Sequence, residues 1–162
     1  MVGCARINWF LVDLPTDLLL MKLSVVIVSW NTKKILAECL DSLLLPLGRL
    51  NREAVQMEVI VVDNGSSDGT LPLIRAQYDW VTLIDTGENL GFPGGNNRGF
   101  AACQGEYILL LNPDTVVHGT ALERLIRFLD ENPTAGAVGS RLLNRDGSLQ
   151  ESCYPQIGRA HV

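Results

Sequence analysis

The chain has 162 residues, enough for one domain around one hydrophobic core. With 47% hydrophobic and 19% charged residues it has an ordinary globular balance, which excludes a disordered or low-complexity chain. The formal net charge of −5 and the absence of a basic patch speak against a nucleic-acid binder. An acidic protein still binds an anionic nucleotide where a metal ion or backbone N–H groups meet the phosphates.

Residues 1–20 are apolar in places, but Asp13, Pro15 and Asp17 interrupt them. The stretch suits neither a signal peptide nor a membrane span, which needs about 20 apolar residues. We read it as an extension of uncertain origin, with the domain beginning at Met21. Leu23–Ser29 is nearly continuous in apolar, β-branched residues, as a buried parallel strand should be. Asn31 or Thr32 can cap the next helix, whose apolar face is Ile35, Leu36, Cys39, Leu40, Leu43 and Leu44. That helix is expected to stop near Pro46 and Gly48.

Val59–Val62 predicts a second strand ending at Asp63, followed by the turn-rich Asn64-Gly65-Ser66-Ser67-Asp68-Gly69. Leu71, Ile74 and Tyr78 mark a second helix, and Val81–Ile84 a third strand. A glycine-rich loop is expected over 87–95, then a helix over Asn96–Cys103. Tyr107–Leu111 predicts a fourth strand ending at Asn112-Pro113-Asp114. Thr120 and Glu123 have capping-box spacing before the apolar face Leu122, Leu125, Ile126 and Leu129. Ala135–Gly139 is expected as a fifth strand, and Arg145-Asp146-Gly147-Ser148 as a hairpin turn. The residues after Pro155 lack periodicity, and the last six back-translate into a common sequencing-adapter read. Residues 157–162 are therefore a candidate non-native tail, and the natural protein is expected to continue beyond them. The cysteines Cys4, Cys39, Cys103 and Cys153 form no pair at close spacing, which fits a reducing compartment better than a disulfide framework.

Strands alternating with helices imply βαβ units and a mostly parallel sheet, with ligands beyond the carboxyl ends of the strands. That rule selects Ser29-Trp30-Asn31, Asp63-Asn64-Gly65 and Asn112-Pro113-Asp114. Asp63 can accept hydrogen bonds from a base or ribose, or can serve as a turn residue. Asp114 can bind a hard divalent cation with diphosphate oxygens and water, Asn112 assisting, or can belong to a plain turn. The segment Asn89–Gly99 has four glycines in eleven residues, so its backbone can approach a ligand, with Asn96, Asn97 and Arg98 as donors. It is neither a Walker A loop nor a clean dinucleotide fingerprint. The same segment also reads as a structural loop opening a helix.

Taken together, Val26–Asn31, Val61–Thr70, Asn89–Phe92 with Gly94–Asn97, and Leu110–Asp114 resemble the family 2 glycosyltransferases, with the flavour of bacterial rhamnosyltransferase-like members. The resemblance covers about residues 21–155. It implies a GT-A fold, a Rossmann-like α/β three-layer sandwich, here truncated at the C-terminus, with 21–156 as the nucleotide-sugar-binding part. It implies inverting transfer from a nucleoside-diphosphate sugar to a saccharide or lipid-linked acceptor. By resemblance Ser29 and Asn31 lie near the base, and Asp63 binds base or ribose. Asn64 and Asp68 share that loop, and Gly94, Asn96 and Asn97 line the donor pocket. Asn112-Pro113-Asp114 stands where the family has its DxD motif, so Asp114 becomes the ligand for Mg²⁺ or Mn²⁺, with Asn112 in place of the first carboxylate. No residue matches the family's catalytic base; Asp146 has a turn explanation and Glu151 lacks a motif. The lack of an export signal in the sequence leads us to expect a cytoplasmic location, with peripheral association at the inner face of the membrane where an acceptor is lipid-linked. Two other classes stand beside it. One is a non-catalytic nucleotide-sugar-binding module. The other is a nucleotidyltransferase, which should carry a basic glycine-rich loop after its first strand, where this chain has Trp30-Asn31-Thr32.

Overall fold

The computed structural model describes residues 21–50 and 56–150. The expected extension at 1–20, the tail at 157–162, Cys4, Glu151 and Cys153 lie outside them.

The described elements run β1 (Met21–Ser29), α1 (Lys33–Leu50), β2 (Gln56–Asp63), α2 (Thr70–Gln77), β3 (Thr82–Asp85), α3 (Gly91–Phe100), β4 (Tyr107–Leu110) and α4 (Ala121–Glu131). The four strands form one sheet in the order β3-β2-β1-β4. Every pairing within this sheet is parallel, with Ser29 opposite Asp63, Asp63 opposite Asp85 and Val26 opposite Leu110. This is the α/β architecture expected from apolar runs too continuous for a sheet with one wet face.

Alternation along each strand divides the sheet between two layers. Val25, Ile27, Val59 and Val61 face α1, α2 and α4, packing with Leu36, Leu40, Leu43, Ile74, Leu122 and Ile126 into the main core. The opposite residues face α3, where Val26 and Val28 lie against Gly99 and Gly95. The crossover from β3 back to β4 carries α3 to the far face, making three layers.

Several expectations are corrected. Helix α1 runs through Pro46 to Leu50, because Pro46 and Leu50 are both buried and tertiary packing outweighs the lost backbone hydrogen bond. Helix α3 starts at Gly91, five residues earlier than expected, so most of the glycine-rich segment is helical. Thr120 makes no side-chain cap. Glu123 turns instead toward Arg49 of α1, 3.5 Å away, so a tertiary ion pair replaces the capping box. Residues 135–139 form no strand. Of these, Ala135–Val138 border a groove of about 400 Å³ beside β4 and α4 without joining the ladder. The hairpin at 145–148 is present: Leu143 bridges Leu149, Asn144 N–H donates to Ser148 O at 2.8 Å, and Gly147 takes a φ of 83°. Cys39 and Cys103 are free thiols.

Candidate functional site at the carboxyl edge of the sheet

The parallel sheet brings the ends of β1, β2 and β4 to one edge. Since β1 lies between the other two, the β2 and β4 ends stand two strand spacings apart, about 10 Å. Asp63 closes β2, and Asn112 and Asp114 follow β4 after Leu111 N–H makes a last bond to Val26 O at 3.0 Å. The two carboxylates singled out in the sequence thus occupy the same edge.

Asp63 is wholly buried. Its Oδ2 accepts from Ser66 N–H at 3.0 Å, and its backbone carbonyl accepts from the Thr86 hydroxyl at 2.9 Å. Its Oδ1 is buried with no hydrogen-bond partner. A buried acceptor without a donor is costly, so this oxygen is the atom of the edge with most to gain from a bound donor.

Around Asp63 the predicted residues largely tie loops together. Asn31 has a φ of 54°, in the left-handed region that Asn tolerates. That turn lets its Oδ1 accept from Ser67 N–H at 2.8 Å while its own N–H donates to Ser66 Oγ at 2.9 Å. Ser29 Oγ shares a 2.7 Å hydrogen bond with Thr32 Oγ1. Asn64 is engaged on both sides of its amide: Nδ2 donates to Asn89 Oδ1 at 2.9 Å and Gly91 O at 3.2 Å, and Oδ1 accepts from Leu90 N–H at 3.0 Å. Gly65, at a φ of 77°, sits where a Cβ would come within 2.8 Å of the Glu88 backbone, so only glycine lets these two loops meet.

Asp68 joins two helices. Oδ2 accepts from Lys33 N–H at the start of α1 at 2.9 Å. Oδ1 accepts from Thr70 N–H at 3.1 Å and the Thr70 hydroxyl at 2.6 Å at the start of α2. Desolvation pushes this carboxyl up, but the hydrogen bonds from Thr70 and Lys33 outweigh it and hold it below the ordinary aspartate value. It lines an open hollow with Asn31, Thr32, Lys33, Lys34 and Ile35.

On α3, Asn96 is buried and its Nδ2 donates to Phe92 O at 2.8 Å, while Asn97 and Arg98 are exposed. Gly94 is helical, and a Cβ there would meet Leu90 Cβ at 2.7 Å. On the other flank, Asn112 and Asp114 are exposed. Asn112 O accepts from Thr115 N–H at 3.1 Å, closing a turn around Pro113 and Asp114. Cys39 of α1 lies beneath it, where burial, and then the negative charge of Asp114, push its thiol up to about 12.

Among the described residues no three or more His, Cys, Asp or Glu are grouped to hold a metal ion. One exposed carboxylate with a carboxamide two residues away is a partial ligand set. It suits a hard cation that keeps water and shares its shell with substrate phosphates, as Mg²⁺ does, rather than a metal caged by protein.

Ser66 and Asn89 lie within the sequence motifs without a role of their own, and Thr86 is not singled out, yet these residues bind the loops to one another. Ser66 and Asn89 stand in turn-rich stretches that signal a loop but not its partner.

Comparison with known proteins adds to this geometry. The model of a family described as Glycosyl transferase family 2 matches residues 24–153. Poly(ribitol-phosphate) beta-glucosyltransferase of Bacillus spizizenii is 32% identical over 123 residues, covering 74% of this chain and 19% of that protein. N-acetylglucosaminyl-diphospho-decaprenol L-rhamnosyltransferase of Mycobacterium tuberculosis is 32% identical over 107 residues, covering 59% of this chain and 35% of its own. The crystal structure of S. aureus TarS 1-349 in complex with UDP superposes with a TM-score of 0.58 at 28% identity, covering 70% of this chain and 33% of that one. The same TarS segment in complex with UDP-GlcNAc also has a TM-score of 0.58. The chain therefore spans about a fifth to a third of these proteins.

Proposed function

The chain belongs to glycosyl transferase family 2, and from that premise we propose that it is the donor-binding part of an inverting glycosyltransferase. Its donor is a nucleoside-diphosphate sugar and its acceptor a saccharide or lipid-linked glycan. The observation that carries this reading is the orphaned Oδ1 of Asp63, buried at the carboxyl edge of a parallel sheet. A nucleobase N–H or a ribose hydroxyl would supply the donor that this oxygen lacks once the loops that cover it part, since the oxygen has no accessible surface in this conformation. Trp30 stands 54% exposed between Ser29 and Asn31, and its ring offers the base a stacking face.

In this reading Ser29, Asn31, Asn64 and Asp68 shape the nucleotide wall by fixing the loops that frame Asp63. Gly94, Asn96 and Asn97 border the donor from α3. Asn112 and Asp114 meet the diphosphate from the opposite flank. When bound there, Mg²⁺ or Mn²⁺ supplies Lewis-acid stabilisation of the departing diphosphate's charge. Asp114 contributes the protein's carboxylate to that cation, and Asn112 a neutral oxygen or a water-mediated contact.

Inversion at the anomeric carbon also requires a group that takes the proton of the attacking hydroxyl. Asp146 is committed to its own hairpin, accepting from Ser148 N–H at 2.9 Å and from the Ser148 hydroxyl at 2.7 Å. No residue is assigned as base, and the chain by itself should bind donor while transferring little sugar. No helix among the described residues is long and apolar enough to cross a membrane. We place the acceptor step at the cytoplasmic face of the membrane, by peripheral association.

Thermal shift with UDP, dTDP and GDP, with and without Mg²⁺, tests the reading, since a ligand bound to the native state raises the melting temperature by mass action. At least one nucleotide should stabilise the chain, and Asp63→Asn should remove most of the shift. A chain that no nucleoside diphosphate stabilises overturns the reading.

A further inference from the structure

The loop that carries Asp114 is fastened to α1 at both ends. At its start, the Cys39 thiol donates to Asn112 O, with sulfur and oxygen 3.8 Å apart. At its end, Val117 N–H donates to Ser42 Oγ at 3.0 Å. The Ser42 hydroxyl in turn donates to Cys39 O at 2.6 Å, so its hydrogen points back along the helix and its lone pair toward the loop. Cys39 and Ser42 are three residues apart on one helix face. That helix is anchored by Leu36, Leu40 and Leu43, none of them exposed. Asp114 stands at the exposed apex between the two attachments.

We propose that Cys39 and Ser42 are positioning residues for the Asp114 carboxylate, holding both ends of its loop so that it is already aimed at the diphosphate-bound cation. The inference rests on the reading of Asp114 given above. A short exposed loop free at either end would have to be ordered on binding, and each residue so fixed costs conformational entropy. Fastened to a core helix, the loop loses that entropy on folding rather than on binding. Packing alone does not require these residue types. An alanine at 42 fills most of the same space, but leaves Val117 N–H without its acceptor.

The test uses the whole chain. Calorimetry gives UDP affinity with Mn²⁺ and with chelator, and their ratio is the metal-dependent gain. Electron paramagnetic resonance of Mn²⁺ counts the bound cation independently. Ser42→Ala should cut the gain by roughly five- to tenfold, the worth of one hydrogen bond, and Cys39→Ala, which loses only a weak thiol donor, by roughly two- to threefold, both leaving metal-free affinity unchanged. Ser42→Thr, which keeps a donor and acceptor, should restore it. Asp114→Ala should abolish the gain. If Asp114→Ala abolishes it while Ser42→Ala and Cys39→Ala retain it in full, the positioning role is refuted and Asp114 keeps its assignment. A gain that survives Asp114→Ala refutes the metal reading itself. A loss that Ser42→Thr fails to recover reports packing and also overturns the proposal. Should Ser42→Ala fail to fold by circular dichroism, Cys39→Ala decides the matter: a reduced gain supports the fastening and a gain retained in full refutes it.

Discussion

Replacing Asp68 separates a residue that holds the fold from one that holds the ligand. Its carboxylate satisfies backbone donors at the starts of α1 and α2, through Lys33 N–H and Thr70 N–H, and takes the Thr70 hydroxyl as well. A lost N-cap costs about 1 kcal/mol, so Asp68→Ala, which uncaps two helices, should cost about 2 kcal/mol. Asp68 is exposed, and solvent screening makes that figure an upper value. For a domain of this size the loss corresponds to a fall of roughly 6–8 °C in melting temperature. Asp68→Asn keeps one carbonyl oxygen and can cap only one helix, so about half the loss is expected. The pH dependence has a definite sign. The folded carboxyl sits below its ordinary value, so its contribution is present above the unfolded value, about pH 4, and disappears as pH falls through the folded value. The melting gap between the wild type and Asp68→Asn should therefore close only below about pH 4. Scanning calorimetry across pH, with nucleotide affinity measured at neutral pH on the folded variant, reads both roles. An unchanged melting temperature combined with weakened nucleotide binding would refute the bridging account and make Asp68 a ligand contact.

Other outcomes follow from the packing. In Gly99→Ala the new Cβ would clash with Val26 Cγ1 and lie 3.3 Å from Val62 Cγ2. Overpacking of about 1–3 kcal/mol exceeds the gain of about 1 kcal/mol in helix propensity, so the urea midpoint should fall. A rise would mean that α3 is not seated on the sheet as described. Lys22 joins β1 to Glu106 and Asp130, each at 2.8 Å, and lies over the Tyr107 ring at 4.8 Å. Its side chain is 23% exposed and its partners more so, so Lys22→Ala should cost about 1 kcal/mol, most of it gone in about 1 M salt. A salt-independent loss in thermal melts would assign the effect to packing instead.

The sheet was largely legible in the sequence because burial on both faces forces apolar residues into unbroken runs. Val59–Val62 could not be one side of a half-wet strand, and Asp63 at its end marked the carboxyl edge of the sheet. Strand order was less accessible, since nothing in the periodicity says that β4 pairs with β1. Misreadings occurred where a distant partner overrode a local pattern. Thr120 and Glu123 have the spacing of a capping box, yet Arg49 draws Glu123 away. Pro46 is a stop signal by itself, yet the helix continues because Leu50 is buried. The loop-binding roles of Asn64, Asn31 and Asp68 depend on residues 25 to 36 positions away, beyond the reach of any local pattern.

The glycine-rich segment gives the general form of that limit. Glycine lacks a Cβ, and a sequence containing several reads as a loop that lets backbone approach a ligand. The same missing atom also lets a helix approach a sheet. Gly95 and Gly99 are four residues apart, on one helix face, and a Cβ on either would strike Val28 or Val26 within 2.7 Å. These two glycines are spent on packing, and the cost of glycine in a helix is offset by the apolar contact it permits. In the function proposed above, the donor-facing task then falls to what the close seating puts beside the edge, namely the buried Asn96 and the exposed Asn97. A motif of this kind therefore holds two functions in alternate positions: residues that set the depth of the helix, and residues whose placement depends on it. Changing the first kind should displace the second without touching it, which is why Gly99→Ala is expected to weaken nucleotide binding as well as stability.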